Sequence, residues 1–360
     1  MQTLYYCLSA VLIIASVIPV IPNQHWFFRI FDFLKIQLLV LQTIVFILAW
    51  WFVPYETMFY CTQLLLLVCM IYEVSLIYQY TPLYKVKVRN SPIKPSKSIK
   101  VISANVYQFN TEYDRFIRLI DKYQPNVILT MESDEKWQQA MQVFKKDYPY
   151  FIEVPLQNTY GIHLYSNVKI TASEVHYFVA DDIPSIEAKM KTADGYEFVF
   201  FGVHPPPPSP TEEDTSKERD GELLSVAKKV KEIKIPAVVV GDFNNVAWGR
   251  SSVLFKNTAE MIDPRIGRGF ISTFHAKYRL LRFPIDQMYH SSDIFIEDIC
   301  TKENFGSDHL PLYFEFFIDE LNPVQEEQLE VLEADEKQEV EQMIKDGKEE
   351  ESDREKVVIE

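Results

Sequence analysis

Polar residues suited to phosphoester chemistry stand at the ends of short apolar runs. Val238-Val239-Val240 breaks into Gly241-Asp242-Phe243-Asn244, and Ser307-Asp308-His309 directly precedes the apolar run 312–318. A β-branched run ending in glycine reads as a buried strand whose polar end emerges at a sheet edge. Side chains alternate along extended chain, so Asp242 and Asn244 face the same side. A carboxylate beside an amide there can hold a water and a phosphate oxygen together. Asn105 closes the run that begins at Ile99, Glu132 follows 126–131, and His204 ends 198–203 ahead of four prolines at 205–208. Singly, each reads as a turn former, a surface group or a loop histidine. Strand ends that converge on one edge turn scattered positions into neighbours.

Glu132, Asp308 and Asn105 are hard oxygen donors, suited to Mg²⁺ or Mn²⁺ rather than zinc. A metal-bound phosphate also needs an activated water, a donor group on its oxygens and help for the leaving group. Asp242, His204 and His309 can supply these. No glycine-rich phosphate loop is present. Cys7, Cys61 and Cys69 sit in apolar stretches and leave Cys300 alone, so neither a disulfide framework nor a zinc spacing follows.

The elements that must position these residues alternate. Strands are expected at 99–106, 126–131, 150–154, 162–165, 174–179, 186–190, 198–203, 238–240, 293–296 and 312–318, with helices at 113–123, 137–144, 223–233 and 251–255. Strand–helix alternation with consecutive strands in the middle predicts an α/β fold with two sheets.

Ahead of this domain, three apolar runs cover 4–21, 34–53 and 58–77, and roughly twenty apolar residues span a bilayer. Trp50, Trp51, Tyr72, Tyr78 and Tyr80 at their ends suit the interfacial belt. The first run lacks a basic leader and a small-residue cleavage site, so it reads as an uncleaved anchor. Glu73 in the third run reads as a residue snorkelling to the interface. Arg29 and Lys35 lie between the first two runs, and Lys85, Lys87, Arg89, Lys94, Lys97 and Lys100 follow the third. The positive-inside rule then places the catalytic domain on the cytoplasmic side. The expected organisation is a three-helix transmembrane anchor at 1–80, a basic, proline-containing linker at 81–98, a catalytic domain at 99–318 and an acidic tail at 319–360.

The net charge of −15 is uneven. Residues 319–360 hold 17 acidic and 5 basic side chains, a net of −12, which leaves −3 for the rest. The body therefore lacks the basic surface that tight nonspecific binding to a polyanion requires. Leu329, Leu332, Val340 and Ile344 could line a weak helical stripe in the tail, but its overall polarity predicts a solvated, disordered or loosely helical segment.

Ser103-Ala104-Asn105, Glu132, Gly241-Asp242-Phe243-Asn244, Ile285-Asp286 and Gly306-Ser307-Asp308-His309-Leu310-Pro311 together resemble the motif order of the endonuclease/exonuclease/phosphatase superfamily, the deoxyribonuclease-I-like fold. The resemblance covers about 99–318. The segment 160–166, His204 with its prolines, and Trp248-Gly249-Arg250 further resemble a bacterial membrane-anchored branch, which implies an inner-membrane protein. The resemblance implies a four-layer α/β sandwich that cleaves phosphoester bonds with Mg²⁺ or Mn²⁺. By similarity Glu132 is the principal metal ligand, with Asn105 and Asp308 nearby. Asp242 orients or deprotonates the attacking water, and Asn244 holds a phosphate oxygen. His309 is positioned by Asp286, and His204 contacts the scissile phosphate. Gln287 departs from the branch, which usually carries histidine there. His163 stands as a core or rim residue.

Nucleic acid and phospholipid headgroups are the two expected substrate classes, and the lipid bilayer is the expected partner through residues 4–80. The alternative to a hydrolase is a membrane scaffold that kept the fold, with the acidic tail as its binding arm.

Overall fold

A computed structural model describes residues 1–86 and 94–352. The middle of the expected basic linker, 87–93 with Lys87 and Arg89, and residues 353–360 lie outside the described residues.

The chain opens with four helices: α1 (Gln2–Val17), α2 (Trp26–Phe33), α3 (Lys35–Phe52) and α4 (Thr57–Ile77). Gln2–Val20, Lys35–Phe52 and Thr57–Tyr80 are long and apolar enough to cross a membrane. Glu73 does not snorkel. It is buried among the helices, where Ser16 Oγ donates to it at 2.6 Å, and Gln42 Nε2 donates to that same Ser16 oxygen at 2.6 Å. The expectation failed because Ser16 and Gln42 face Glu73 across the bundle and give its carboxyl hydrogen-bond partners away from the interface.

The remaining elements, in chain order, are β1 (Ile99–Asn105), α5 (Tyr113–Tyr123), β2 (Val127–Met131), α6 (Glu135–Met141), β3 (Tyr150–Val154), β4 (Ile162–Ser166), β5 (Lys169–His176), β6 (Ser185–Lys191), β7 (Glu197–Val203), α7 (Lys217–Lys231), β8 (Ala237–Asp242), α8 (Arg250–Ala259), β9 (Asp286–His290), β10 (Ile294–Thr301), β11 (Leu312–Ile318) and α9 (Ala334–Glu349). One sheet runs β10-β11-β1-β2-β4-β3 and the other β5-β6-β7-β8-β9. Each holds one parallel pair, β1 with β2 and β7 with β8.

Strand alternation sorts the side chains into layers. Val101, Leu129, Phe200 and Val240 meet between the sheets. Ile102 and Ile128 face outward onto Phe116 of α5 and Trp137 of α6. Val239 faces the other way, onto Leu223 of α7 and Phe255 of α8. The result is a four-layer α/β sandwich of two mixed sheets flanked by helices.

Some elements differ from expectation, α2 among them, which forms between the first two apolar runs. β9 was not anticipated, because Asp286, Gln287 and His290 interrupt its apolar pattern; pairing with β8 along its whole length supplies the order instead. The acidic segment is not a solvated tail over 334–349. Its helix starts with a capping box between Glu333 and Glu336, and Val340 and Ile344 pack on Leu224 and Leu254. Arg250 pairs with Glu336 and Glu339, and Lys228 with Glu341. Basic side chains on α7 and α8 thus neutralise the charge that argued for solvation, and the apolar stripe decides.

Candidate active site

The strand ends converge as their placement suggested. A Cβ at Gly241 would stand 1.9 Å from the Val203 carbonyl oxygen, so only glycine lets β7 and β8 close here. The pairing of Val203 with Gly241 carries the next residue of each strand, His204 and Asp242, out together at the sheet edge. Antiparallel pairing with β9 sets Asp286 directly opposite Asp242. On the other sheet, Asn105 pairs with Met131, so Glu132 emerges beside it. The turn before β11 is tied to the end of β1: Ser307 Oγ donates to the Asn105 carbonyl at 2.8 Å and accepts from the His309 N–H at 3.0 Å. Glu132, Asn244 and Tyr107 adopt left-handed backbone, at φ 58°, 46° and 56°. Each costs about 1–3 kcal/mol outside a site that holds it.

His309 Nδ1 lies 2.8 Å from Asp286 Oδ2, with both side chains buried. Asp242 Oδ2 is 3.6 Å from His309 Nε2 and 3.9 Å from His204 Nε2. Neither imidazole reaches hydrogen-bond distance from it, so both Nε2 atoms can address a substrate oxygen. Asn105 Nδ2 donates to Glu132 Oε1 at 2.8 Å and to Asp242 Oδ2 at 3.2 Å. Its Oδ1 accepts from the Tyr107 N–H at 2.9 Å, which fixes the amide's orientation because that N–H can only donate. The atom Asn105 turns toward the carboxylates is therefore its nitrogen, and in this orientation it is a donor holding two acids rather than an oxygen ligand. The Gln108 N–H donates to Glu132 Oε2 at 3.0 Å. Asn244 spends one amide hydrogen on the Pro205 carbonyl at 2.9 Å, and its own N–H donates to Asp242 Oδ1 at 2.9 Å.

Burial pushes the Glu132 carboxyl up to about 7, against the hydrogen bonds from Asn105 and Gln108. Burial and then the facing Asp286 raise Asp242. His204 is drawn down to about 4 by burial, which outweighs the nearby Asp242. For His309 burial works downward, but Asp286 and Asp242 together prevail and carry it up to about 10. One histidine is thus neutral and the other cationic at neutral pH.

Glu132, His204, Asp242, Asn244, Asp308 and His309 line one cavity of about 630 Å³, and Asn105 and Asp286 stand behind them. Asp242, Asp286 and His309 also form a buried group whose ligand atoms lie within 4.8 Å of one another and could hold a metal ion. The Asp286–His309 hydrogen bond already engages both of those side chains. Glu132 and Asp308 offer oxygens on the cavity wall without that conflict, and Arg29 is the only lysine or arginine among the described lining residues. A carboxylate set at a cavity wall with so little lysine or arginine charge beside it fits a hard divalent cation.

The profile of the Endonuclease/Exonuclease/phosphatase family matches residues 102–309. The chain belongs to this family. No curated protein matches it. Among solved structures, a D. rerio TDP2 complexed with single-strand DNA product superposes with a TM-score of 0.52 at 19% identity, covering 61% of this chain and 99% of that one. The human nocturnin catalytic domain with bound sulfate gives 0.52 at 17%, covering 63% and 96%. A Bacteroides thetaiotaomicron family protein gives 0.53 at 18%, covering 64% and 98%. At these identities the likeness is one of fold alone.

Other residues sort themselves. His163 is buried in β4, drawn down to about 4 by burial, and does not line the cavity. Gln287 turns away, accepting from Arg265 at 3.0 Å and Tyr289 at 2.6 Å. Three contributors escaped the sequence reading: Tyr160, whose ring centroid is 5.5 Å from that of His204; Phe274, 4.8 Å from His309; and Arg219, buried and donating to the Asn244 carbonyl at 3.0 Å. Phe274 and Arg219 carried no strand-end signal. Tyr160 lies in a segment noted only for its resemblance.

Proposed function

We propose that the protein is a membrane-anchored, divalent-metal-dependent phosphoesterase. The observation that carries this reading is Asp242, with His309 Nε2 at 3.6 Å and His204 Nε2 at 3.9 Å from its Oδ2, in a cavity that Glu132 and Asp308 also line. Glu132 and Asp308 would hold Mg²⁺ or Mn²⁺, with Asn105 fixing the Glu132 carboxylate. When bound, the metal supplies charge against the phosphate oxygens and favours a nucleophilic water.

Asp242, raised by burial, orients the attacking water and takes its proton. His309, kept cationic by its Asp286 partner, and His204 donate to the non-bridging phosphate oxygens, where charge builds in the transition state. Asn244 contributes its second amide hydrogen. The water oxygen bonds to phosphorus as its proton passes to Asp242, one P–O ester bond breaks with its electron pair on the leaving oxygen, which is protonated from solvent, and Asp242 returns its proton to solvent. A scaffold would have no use for a hydrogen-bonded Asp286–His309 pair at a cavity wall.

The anchor reading rests on three helices of spanning length. Bonds between anchor and catalytic domain come from one end of the bundle. Trp248 Nε1 donates to the Asp32 carbonyl at 2.7 Å, and the Gly267 N–H to Gln79 at 2.7 Å. Arg29 and Lys35 lie at that end, so the positive-inside rule puts the catalytic domain in the cytoplasm. A phosphatase reporter fused after residue 318 should be inactive; activity outside the cytoplasm would reverse the topology. For the chemistry, the full chain in detergent should hydrolyse bis(4-nitrophenyl) phosphate with Mg²⁺ or Mn²⁺. Glu132→Gln and His309→Ala should each lose at least about 100-fold. Wild-type rates in both variants would refute the site.

A further inference from the structure

The cavity that holds the candidate catalytic residues is not made by the catalytic domain alone. Its far wall is the helix between the first two spans: Trp26, Ile30, Phe33 and the following Leu34 face into it. That helix is fixed to the domain. The Trp26 N–H donates to the Asp214 carbonyl at 2.9 Å and the Ser216 N–H to that of Gln24 at 2.7 Å, the two bonds flanking an antiparallel bridge between His25 and Thr215. Opposite stand Phe274, Leu281 and Phe283 of the loop before β9. The walls meet where Phe33 and Phe283 pack edge to face, ring centroids 5.7 Å apart.

Large apolar side chains are exposed on and beside these walls, while Thr159, Ser209, Thr211 and Glu212 add polar lining. Leu280 is 86% exposed, Phe109 68%, Leu281 50% and Ile30 44%. A water-facing mouth rarely carries such a rim. Gln37, at the start of α3, donates from Nε2 to the Leu280 carbonyl at 2.7 Å, which sets the rim level with the beginning of a candidate span. An amphipathic helix with tryptophan and phenylalanine at the same level lies where acyl chains meet headgroups. The charge pattern argues in the same direction. Among the described residues that line the cavity Arg29 is the only lysine or arginine, and it is committed to the backbone carbonyls of Asn23 and Ile21; Lys277 and Arg279 of the Phe274–Phe283 loop are exposed but do not line it, so the cavity itself offers little to track a polyanion. The volume, about 630 Å³, falls within the roughly 300–1,000 Å³ of sites for organic ligands and exceeds what the reacting phosphate fills.

We propose that the substrate is a membrane-resident phosphoester carrying a long apolar chain, with its phosphate at Asp242 and His309 and its chain lying between the Trp26–Phe33 helix and the Phe274–Phe283 loop. The inference rests on the phosphoesterase reading. It makes the anchor part of the binding site rather than a tether.

The test uses the full chain in phosphatidylcholine nanodiscs with Mn²⁺ and three p-nitrophenyl phosphodiesters that share a leaving group. The second arm is methyl, octyl or thymidine-5′-yl. A fully buried methylene favours binding about fourfold, so even partial burial of the seven added ones should raise kcat/KM for octyl over methyl by on the order of 100-fold. The thymidine arm should do no better than methyl. Ile30→Asp and Leu281→Asp, on opposite walls, should bring the octyl-to-methyl ratio toward one, a ratio that mere loss of folded protein does not move. A wild-type ratio near one, a ratio unchanged in both variants, or a preferred thymidine arm would overturn the inference, the last in favour of a nucleic-acid substrate. Hydrolysis of the methyl ester distinguishes these outcomes from failure of the phosphoesterase reading, in which no ester is cleaved.

Discussion

Replacing Asn105 by aspartate separates two roles that the same residue could play. If Asn105 served through its oxygen as a metal ligand, aspartate would be a tolerated and even stronger donor. The geometry assigns the opposite: its nitrogen stands 2.8 Å from Glu132 Oε1 and 3.2 Å from Asp242 Oδ2. Asn105→Ala removes two charge-assisted bonds to buried acids, each worth roughly 1.5–3 kcal/mol. Asn105→Asp removes the same bonds and puts an oxygen where the nitrogen was. At an effective dielectric of about 20, like charges at those distances repel by roughly 6 and 5 kcal/mol. One carboxyl relieves this by keeping its proton. The folding cost is then the shift in its pKa, about 1.4 kcal/mol per unit. A folded pKa raised above the unfolded value leaves stability intact at low pH and removes it as pH rises. In EDTA, the deficit of Asn105→Asp relative to wild type should therefore grow from pH 5 to pH 8, and at pH 8 should exceed that of Asn105→Ala. Denaturant unfolding of the full chain in detergent measures both. An aspartate variant as stable as wild type at pH 8, or more stable than the alanine variant, would refute the donor assignment.

Asp286→Asn keeps the shape of the pair but loses the charge that orients His309; kcat should fall by roughly 10²–10⁴ with KM little changed, and a loss under threefold would contradict the pairing. Glu222, buried beneath β6 with Ser185 donating to it at 2.7 Å, is pushed by burial up to about 8. Its folded pKa exceeds the unfolded one, so its contribution is full below about pH 4.5 and lost as pH rises through about 8. Glu222→Gln should flatten the fall in stability across that window, and thermal unfolding at pH 5 and 8 reads the slope. Val340→Ala with Ile344→Ala should cost about 3 kcal/mol in unfolding free energy if α9 is packed as described, whereas a change within about 0.5 kcal/mol would mean a solvated tail.

The sheet framework was legible because its signal is local: Val101, Val127 and Val240 alternate with outward neighbours, and Asn105, Glu132, His204 and Asp242 break off apolar runs. Their convergence followed from the strand ends. Details that depend on distant partners were hidden. The orientation of Asn105 is set by the Tyr107 N–H, which no spacing reveals. α9 is charged along most of its length, and its packing depends on Arg250 and Lys228 arriving from other helices. The Trp26–Phe33 helix was read as a connection between apolar runs, since eight mostly aromatic residues beside two spans have no separate signature. Its contact with Asp214, nearly two hundred residues on, made it a wall of the site.

The central claim is that a metal held beside Asp242 and His309 makes this cavity a phosphoesterase. It is tested most directly by titrating Mn²⁺ into the EDTA-stripped full chain while following bound ion by electron paramagnetic resonance and turnover of bis(4-nitrophenyl) phosphate in the same sample. The account expects turnover to rise from background in step with occupancy, and Glu132→Gln to lose both together. Turnover that persists in EDTA, or a Glu132→Gln variant that binds and hydrolyses like wild type, would contradict it.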